Sequence, residues 1–261
     1  MTGNKVKAIF FDIDGTLVSF RTHEISRETI ESLHELKRRG IRLFIASGRP
    51  LEMMDNLSGF PFDGYITLNG ALVHAGGEVI SRHPIDPDAA TGIAGTADSL
   101  GLPCVTYGEN TIAINFTDER TEQSFRMIKL PPVPVIPAVT MAEKPVYQFT
   151  VFADEAQEKD LILPEAEFLE PSRWNPVFFD LNPKGLSKAD GIRAIQEHFG
   201  ISRDETMAFG DGGNDTAMLK YAGTGIAMGN AGDDVKEAAD YVTSSVDDNG
   251  IPAALRHFGI L

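Results

Sequence analysis

The sequence predicts an α/β protein whose core is a doubly wound, Rossmann-like parallel sheet, with an α+β domain inserted into it. Three observations predict this. β-rich runs alternate with helical patterns at both ends of the 261-residue chain, the character changes near Pro84 until the rhythm resumes at Ser187, and glycine-flanked polar residues follow three of the runs.

Taken in order, Val6 to Phe11 reads as a strand, Ser26 to Arg39 as a helix, Ile41 to Ala46 as a strand and Pro50 to Leu57 as a helical pattern. The first helix carries its own punctuation: Ser26 as N-cap, Glu28 and Glu31 early, Lys37 to Arg39 late, and Gly40 as the stop. Its Ile30, Leu33 and Leu36 are expected to face the sheet. Tyr65 to Leu68 leads through Asn69-Gly70 into Leu72 to His74 and Val79 to Ser81, two alternating segments around Gly76-Gly77 that signal a hairpin.

The inserted segment carries its own helix, Ala89 to Leu100, and strand-like runs at Cys104 to Tyr107, Thr111 to Phe116, Val146 to Phe152 and Val177 to Leu181. A proline cluster, Pro131, Pro132, Pro134 and Pro137, reads as an extended loop within it. After Ser187 come a helix to Phe199, strand Thr206 to Phe209, helix Asp215 to Tyr221, strand Ile226 to Met228 and helix Asp233 to Ala239. The expected division is a core of residues 1–83 and 183–261 with residues 84–182 inserted. His-Phe-Gly-Ile occurs at His198 and again at His257, and both copies read as helix stops rather than a repeat.

Lys plus Arg number 23 against 38 Asp plus Glu, a net charge of -15, which repels nucleic-acid backbones and anionic membrane surfaces. Neither is an expected partner. The apolar run Ala8 to Phe11 is too short for a signal-peptide core, and the single cysteine, Cys104, fits a reducing compartment, so a cytoplasmic location is expected. An acidic protein that handles an anion must build positive charge locally, from a metal ion, a lysine or helix N-termini.

Asp12 and Asp14 follow an apolar strand directly, and Gly15 then lets the backbone turn. Ser47-Gly48-Arg49 follows the second strand in the same way, and Asp211-Gly212-Gly213-Asn214-Asp215 follows Thr206 to Phe209. In open α/β sheets ligands bind at that carboxyl edge. Phosphoryl transfer needs such a set: a nucleophile, an acid/base, donors for the phosphoryl oxygens and a cation. By itself Asp-x-Asp-Gly equally fits a solvated turn. It does not fit an EF-hand loop, which wants glycine sixth and glutamate twelfth, whereas Gly15 is fourth and His23 twelfth. Neither a Walker A pattern nor H-E-x-x-H nor G-x-S-x-G occurs.

Phe-Phe-Asp12-Ile-Asp14-Gly-Thr-Leu, Ala-Ser47-Gly-Arg-Pro, Lys188-Ala-Asp-Gly-Ile and Phe-Gly-Asp211-Gly-Gly-Asn214-Asp215 stand in the order of the four motifs of the haloacid dehalogenase superfamily. More narrowly the chain resembles Cof-type phosphatases with a C2 cap, close to the hexose-phosphate phosphatases of that group. The resemblance implies a magnesium-dependent phosphatase in which Asp12 is the nucleophile and becomes an aspartyl phosphate, and Asp14 is the acid/base. It implies Mg2+ held by Asp12, the Asp14 backbone and Asp211. Phosphate would be bound by the Ile13 amide, Ser47, Gly48, Lys188 and Asn214, with Thr16 and Asp215 in support.

The interval between Asp12 and Ser47 is filled by one strand and one helix, so the cap falls in the long interval before Lys188, the C2 position. That placement implies small phosphorylated metabolites as substrates; a monomer or small homo-oligomer is expected. Arg49 and Asn69, beside core motifs, and Arg173 with Trp174, a polar-aromatic pair in the inserted domain, are expected substrate contacts. Lys184 competes with Lys188 for the lysine role. The competing functions are a phosphotransferase or phosphomutase using the same intermediate, and a non-catalytic sugar-phosphate sensor.

Overall fold

The computed structural model describes residues 6–128, 130, 132–162 and 167–261. The chain divides into two compact units: one ends at Ser81 and resumes over Ser187–Leu261, and the other is Arg82–Leu186.

The first unit opens with β1 (Ala8–Phe11), α1 (Arg27–Arg38), β2 (Arg42–Ala46), β3 (Gly64–Thr67), β4 (Leu72–Ala75) and β5 (Glu78–Arg82). The second unit carries α2 (Pro87–Leu100), β6 (Cys104–Tyr107), β7 (Ile112–Ile114), α3 (Glu119–Ile128), α4 (Ala138–Met141), β8 (Gln148–Val151), α5 (Glu155–Ile162), β9 (Leu169–Asn175) and β10 (Phe178–Pro183). The first unit then resumes with α6 (Lys188–Phe199), β11 (Thr206–Gly210), α7 (Thr216–Tyr221), β12 (Thr224–Ala227), α8 (Asp233–Glu237), β13 (Tyr241–Val242) and α9 (Gly250–His257).

The first unit's eight-stranded sheet runs β13-β12-β11-β1-β2-β3-β4-β5. The pairs from β13 to β3 are parallel and β3 with β4 is antiparallel. β1 shows why the sheet is covered on both sides. Ile9 and Phe11 join a core with Leu33 and Leu36 of α1 and Ile251 and Leu255 of α9. Ala8 and Phe10 point the other way, to Ile192 and Ile195 of α6 and Met218 and Leu219 of α7. A strand apolar on both faces demands a helical layer on each, which makes the fold doubly wound as expected. Chain order reverses at β1, since β2 and β3 lie to one side and β11, β12 and β13 to the other. Such a switch point opens a crevice beyond the strand ends.

Local signals read correctly at several points. Ser26 Oγ accepts from Thr29 N at 3.2 Å, and Gly40 takes φ +77° after α1. Gly76 and Gly77 both have positive φ between β4 and β5, the backbone a tight hairpin turn needs. Pro50 to Leu57 does not form the expected helix, only a 3-10 turn at Leu51–Met53. The Met53 carbonyl, which a continuing helix would offer to Leu57, accepts instead from Arg49 Nη1 at 2.9 Å.

In the second unit the sheet order is β7-β6-β8-β10-β9, with antiparallel pairing throughout. Its core packs Phe149, Val151, Phe179 and Leu181 against the alanine-rich face of α2. Pro131 of the proline cluster lies outside the described residues. The rest of the cluster is extended, with Ile136 N donating to Ile114 O at 2.9 Å. Cys104 is fully buried, and burial pushes its thiol up to about 12. Among the described residues no helix is long and apolar enough to cross a membrane.

Candidate active site

Three strand ends deliver polar side chains to one edge of the first unit's sheet. Asp12 follows β1 and continues its ladder, its N–H donating to Phe209 O at 3.0 Å. Gly15 turns away at φ +81°, and a Cβ there would stand 2.1 Å from Asp211 Oδ2, so glycine alone lets the two loops approach. Ser47 follows β2 and hydrogen-bonds from its N–H to Ile66 O at 2.9 Å. Asp211 to Asp215 follow β11, with Asp215 N donating to Gly212 O to close the turn.

Lys188 enters from elsewhere in the chain, as the first residue of α6. Ser187 and Asp190 form a capping box there. Gly191 lies where a Cβ would stand 2.3 Å from Ile66, and Gly70, φ +106°, where one would stand 2.4 Å from Ser187 O. These close approaches seat the start of the helix on the sheet edge. Lys188 is 0% exposed, and its Nζ donates to Asp12 Oδ1 and Asp215 Oδ1, each at 2.6 Å. Lys184 is exposed.

Asp215 is engaged at both ends: its other oxygen accepts from the N–H groups of Asp211 at 2.9 Å and Gly212 at 2.8 Å. Asp211 is gripped on one oxygen by Thr16 Oγ1 at 2.8 Å and on the other by Asn230 Nδ2 at 3.1 Å. Asp12, Asp211 and Asp215 each bring a carboxylate oxygen within 4.8 Å of the others. Burial, then the Asp215 charge, push Asp12 up from 3.8 to about 8 against the pull of Lys188. Burial likewise raises Asp211 to about 6. Lys188 itself is held above its ordinary value, because its two carboxylate partners outweigh the burial that would lower it. The cluster carries more negative than positive charge in a desolvated place, and it answers by holding on to protons.

The donor set fits a hard divalent cation. It is all oxygen, and with Asp215 occupied by Lys188 and two amides, Asp12 and Asp211 remain as the carboxylates for it. The Asp14 carboxylate stands outside this cluster and pairs with Arg49, at 2.8 Å from Nε and 2.5 Å from Nη2.

Asn69 sits over the Ser47 loop in a left-handed conformation, φ 55°, following Leu68 at φ 49°. Its N–H donates to Ser47 O, its Oδ1 accepts from Asn214 Nδ2 at 2.9 Å, and Gly48 leaves room for its side chain. Ser47, Gly48, Asn69 and Asn214 therefore form one connected group. In the second unit, Arg173 is committed to Glu158 at 2.6 Å and to Ala153 O at 3.0 Å. Trp174 is 59% exposed, and its Nε1 donates to Asp180 at 2.8 Å. Asn230 is absent from the sequence-predicted set, although Met228-Gly229-Asn230 repeats the strand, glycine, polar-residue pattern of the other edges.

The fold and site define a hydrolase with an aspartate centre on a doubly wound sheet. The chain belongs to the haloacid dehalogenase-like hydrolase family, whose pattern matches residues 9–255. The solved structure of the HAD subclass IIB sugar phosphatase BT4131 superposes with a TM-score of 0.88 at 43% identity, covering 98% of this chain and 100% of that one. The structure of BT1666 from Bacteroides thetaiotaomicron, a phosphatase of the same superfamily, superposes with a TM-score of 0.88 at 35% identity, covering 100% and 97%. YkrA of Bacillus subtilis is 34% identical over 258 residues, 98% of each chain. The chain is a haloacid-dehalogenase-type phosphatase of the Cof group, as its four motifs imply.

Proposed function

We propose that the protein hydrolyses small phosphomonoesters, sugar phosphates foremost, with Mg2+ and through a phosphorylated Asp12. The observation that carries this reading is Lys188, buried without solvent between Asp12 and Asp215 at 2.6 Å from each. Taking a lysine and two carboxylates out of water carries a desolvation cost, and here the arrangement fixes one oxygen of Asp12 while leaving the other to react. The similarity to a sugar phosphatase over nearly the whole chain supports the substrate class.

In the first step Asp12 Oδ2 forms a bond to phosphorus and the ester oxygen departs, taking a proton from Asp14. In the second, Asp14 accepts a proton from water as the water oxygen bonds to phosphorus, and the Asp12–phosphorus bond breaks to release inorganic phosphate. Lys188, Ser47, Asn214 and the amides of Ile13 and Gly48 would bind phosphoryl oxygens, while Thr16 and Asp215 orient Asp211 and Lys188. Mg2+, held by Asp12, Asp211 and the Asp14 carbonyl, would offset the repulsion between the substrate anion and the carboxylates. Residues 84–182 are proposed as the domain that selects the leaving group, and Asn69, beside the core motifs, as a contact of that group; Arg49, engaged by Asp14 and the Met53 carbonyl, positions Asp14 instead.

The test is hydrolysis of an aryl phosphate with Mg2+ and with chelator, followed by kcat/KM over hexose, pentose and triose phosphates, nucleotides, pyridoxal phosphate and flavin mononucleotide. Chelator-sensitive turnover with sugar phosphates preferred is expected. Chelator-resistant turnover would remove the metal from the account, and a flat, slow profile would remove the sugar.

A further inference from the structure

We infer that Asn230 is a positioning residue for the metal centre: it holds the Asp211 carboxylate and the Asp12–Gly15 loop in one arrangement. The inference rests on the reading of Asp211 as a Mg2+ ligand given above.

Asn230 lies in the turn after β12, the strand beside β11, closed by Ala231 N donating to Met228 O at 3.0 Å. The turn is pressed onto the following segment. A Cβ on Gly229 would stand 2.7 Å from Ser245 N, and Gly229 N donates to Ser244 O at 3.0 Å. Nothing larger than glycine fits there, so the backbone that presents Asn230 has little freedom.

The side chain is exposed, yet each polar atom has a protein partner. Nδ2 donates to Gly15 O at 2.9 Å and to Asp211 Oδ2 at 3.1 Å, and Oδ1 accepts from Val246 N at 2.9 Å. The orientation is unambiguous, because the flipped amide would set its oxygen against two oxygens. An exposed asparagine ordinarily spends these groups on water. Here both donors go to the two loops that carry Asp12 and Asp211. With Thr16 on the other oxygen, Asp211 is clamped at both ends, and the lone pairs left free point where the clamp sets them. Partners of this kind typically contribute about 10- to 100-fold to metal affinity.

The amide nitrogen, rather than side-chain volume, is the required feature. Asn230→Asp keeps the shape and the acceptor for Val246 N, but sets a carboxylate against Gly15 O and Asp211. Asn230→Ala removes the donors without adding a charge. The experiment measures Mn2+ binding by electron paramagnetic resonance and the Mg2+-induced rise in Tm, for both variants and the wild type, beside the Mg2+ dependence of kcat/KM. Both variants are expected to weaken metal binding by about 10-fold or more, the isosteric aspartate more than alanine, with kcat recovering in part at high Mg2+. Circular dichroism spectra without metal should match the wild type. Unchanged Mn2+ affinity in Asn230→Ala, or tighter binding in Asn230→Asp, would overturn the inference. Absence of Mn2+ and Mg2+ binding in the wild type would instead overturn the metal reading on which it stands.

Discussion

Arg49 closes a two-pronged ion pair on Asp14, Nε to Oδ2 at 2.8 Å and Nη2 to Oδ1 at 2.5 Å, while its Nη1 donates to the Met53 carbonyl. The pair joins the loop after β1 to the loop after β2 and fixes the rotamer of the proposed acid/base. A planar fork makes this contact and a lysine ammonium does not. Arg49→Ala and Arg49→Lys should both lower kcat by about 10-fold or more, since positioned acid/base catalysis contributes about 100-fold upward. Steady-state kinetics on an aryl phosphate checks this; a lysine variant with wild-type kcat would contradict it.

Lys188→Met should destabilise the metal-free protein by about 3–5 kcal/mol, because it leaves Asp12 and Asp215 buried and facing each other without a cation. Urea denaturation in chelator measures this. The deficit should be largest at and above about pH 8 and shrink below it, where Asp12, already raised and now without its cation, takes up a proton and the repulsion falls. Equal stability of variant and wild type at pH 8 would contradict the account.

Proton linkage at the acidic cluster has a defined sign. Asp12 is raised from 3.8 to about 8 and Asp211 to about 6, by burial first. Groups raised in the folded state stabilise it fully below their unfolded values, and that contribution is lost as pH rises through the folded ones. Their share of metal-free stability therefore declines between about pH 4 and 8. A cation requires the ionised forms, so Mg2+ affinity should rise from pH 6 to 8 and binding should release protons. Calorimetry at pH 7 in buffers of different ionisation enthalpy reads the release; a buffer-independent heat would contradict it.

Arg173 was an expected substrate contact, yet the structure commits its guanidinium to Glu158, to backbone carbonyls and to the Phe179 ring at 5.1 Å. Arg173→Ala should therefore lower stability by about 2–4 kcal/mol, with both partners largely buried. Thermal or urea denaturation checks this, and unchanged stability would restore the contact reading.

The sequence made the core legible where one local rule decides the outcome. Ile9 and Phe11 against Ala8 and Phe10 declare a strand covered on both faces, and Ser26 and Gly40 bracket α1. Less was legible where partners distant in the chain decide. β9, with its exposed Glu-Pro-Ser run, has no alternating pattern and is a strand because β10 pairs with it. The 3-10 turn at Leu51 depends on Arg49 reaching the Met53 carbonyl. The role of Asn230 is hidden in the sequence for the same reason: its partners Gly15, Asp211 and Val246 meet only once β12 lies beside β11.

In the proposed reaction Asp12 carries the phosphoryl group. Rapid acid quench of enzyme mixed with radiolabelled hexose phosphate and Mg2+ tests it most directly, with label on the denatured protein counted over one turnover. The account predicts transient, hydroxylamine-labile label approaching one equivalent, mapping to the peptide that contains Asp12, and no label or turnover in folded Asp12→Asn. Turnover by Asp12→Asn, or label mapped to another residue, would contradict it.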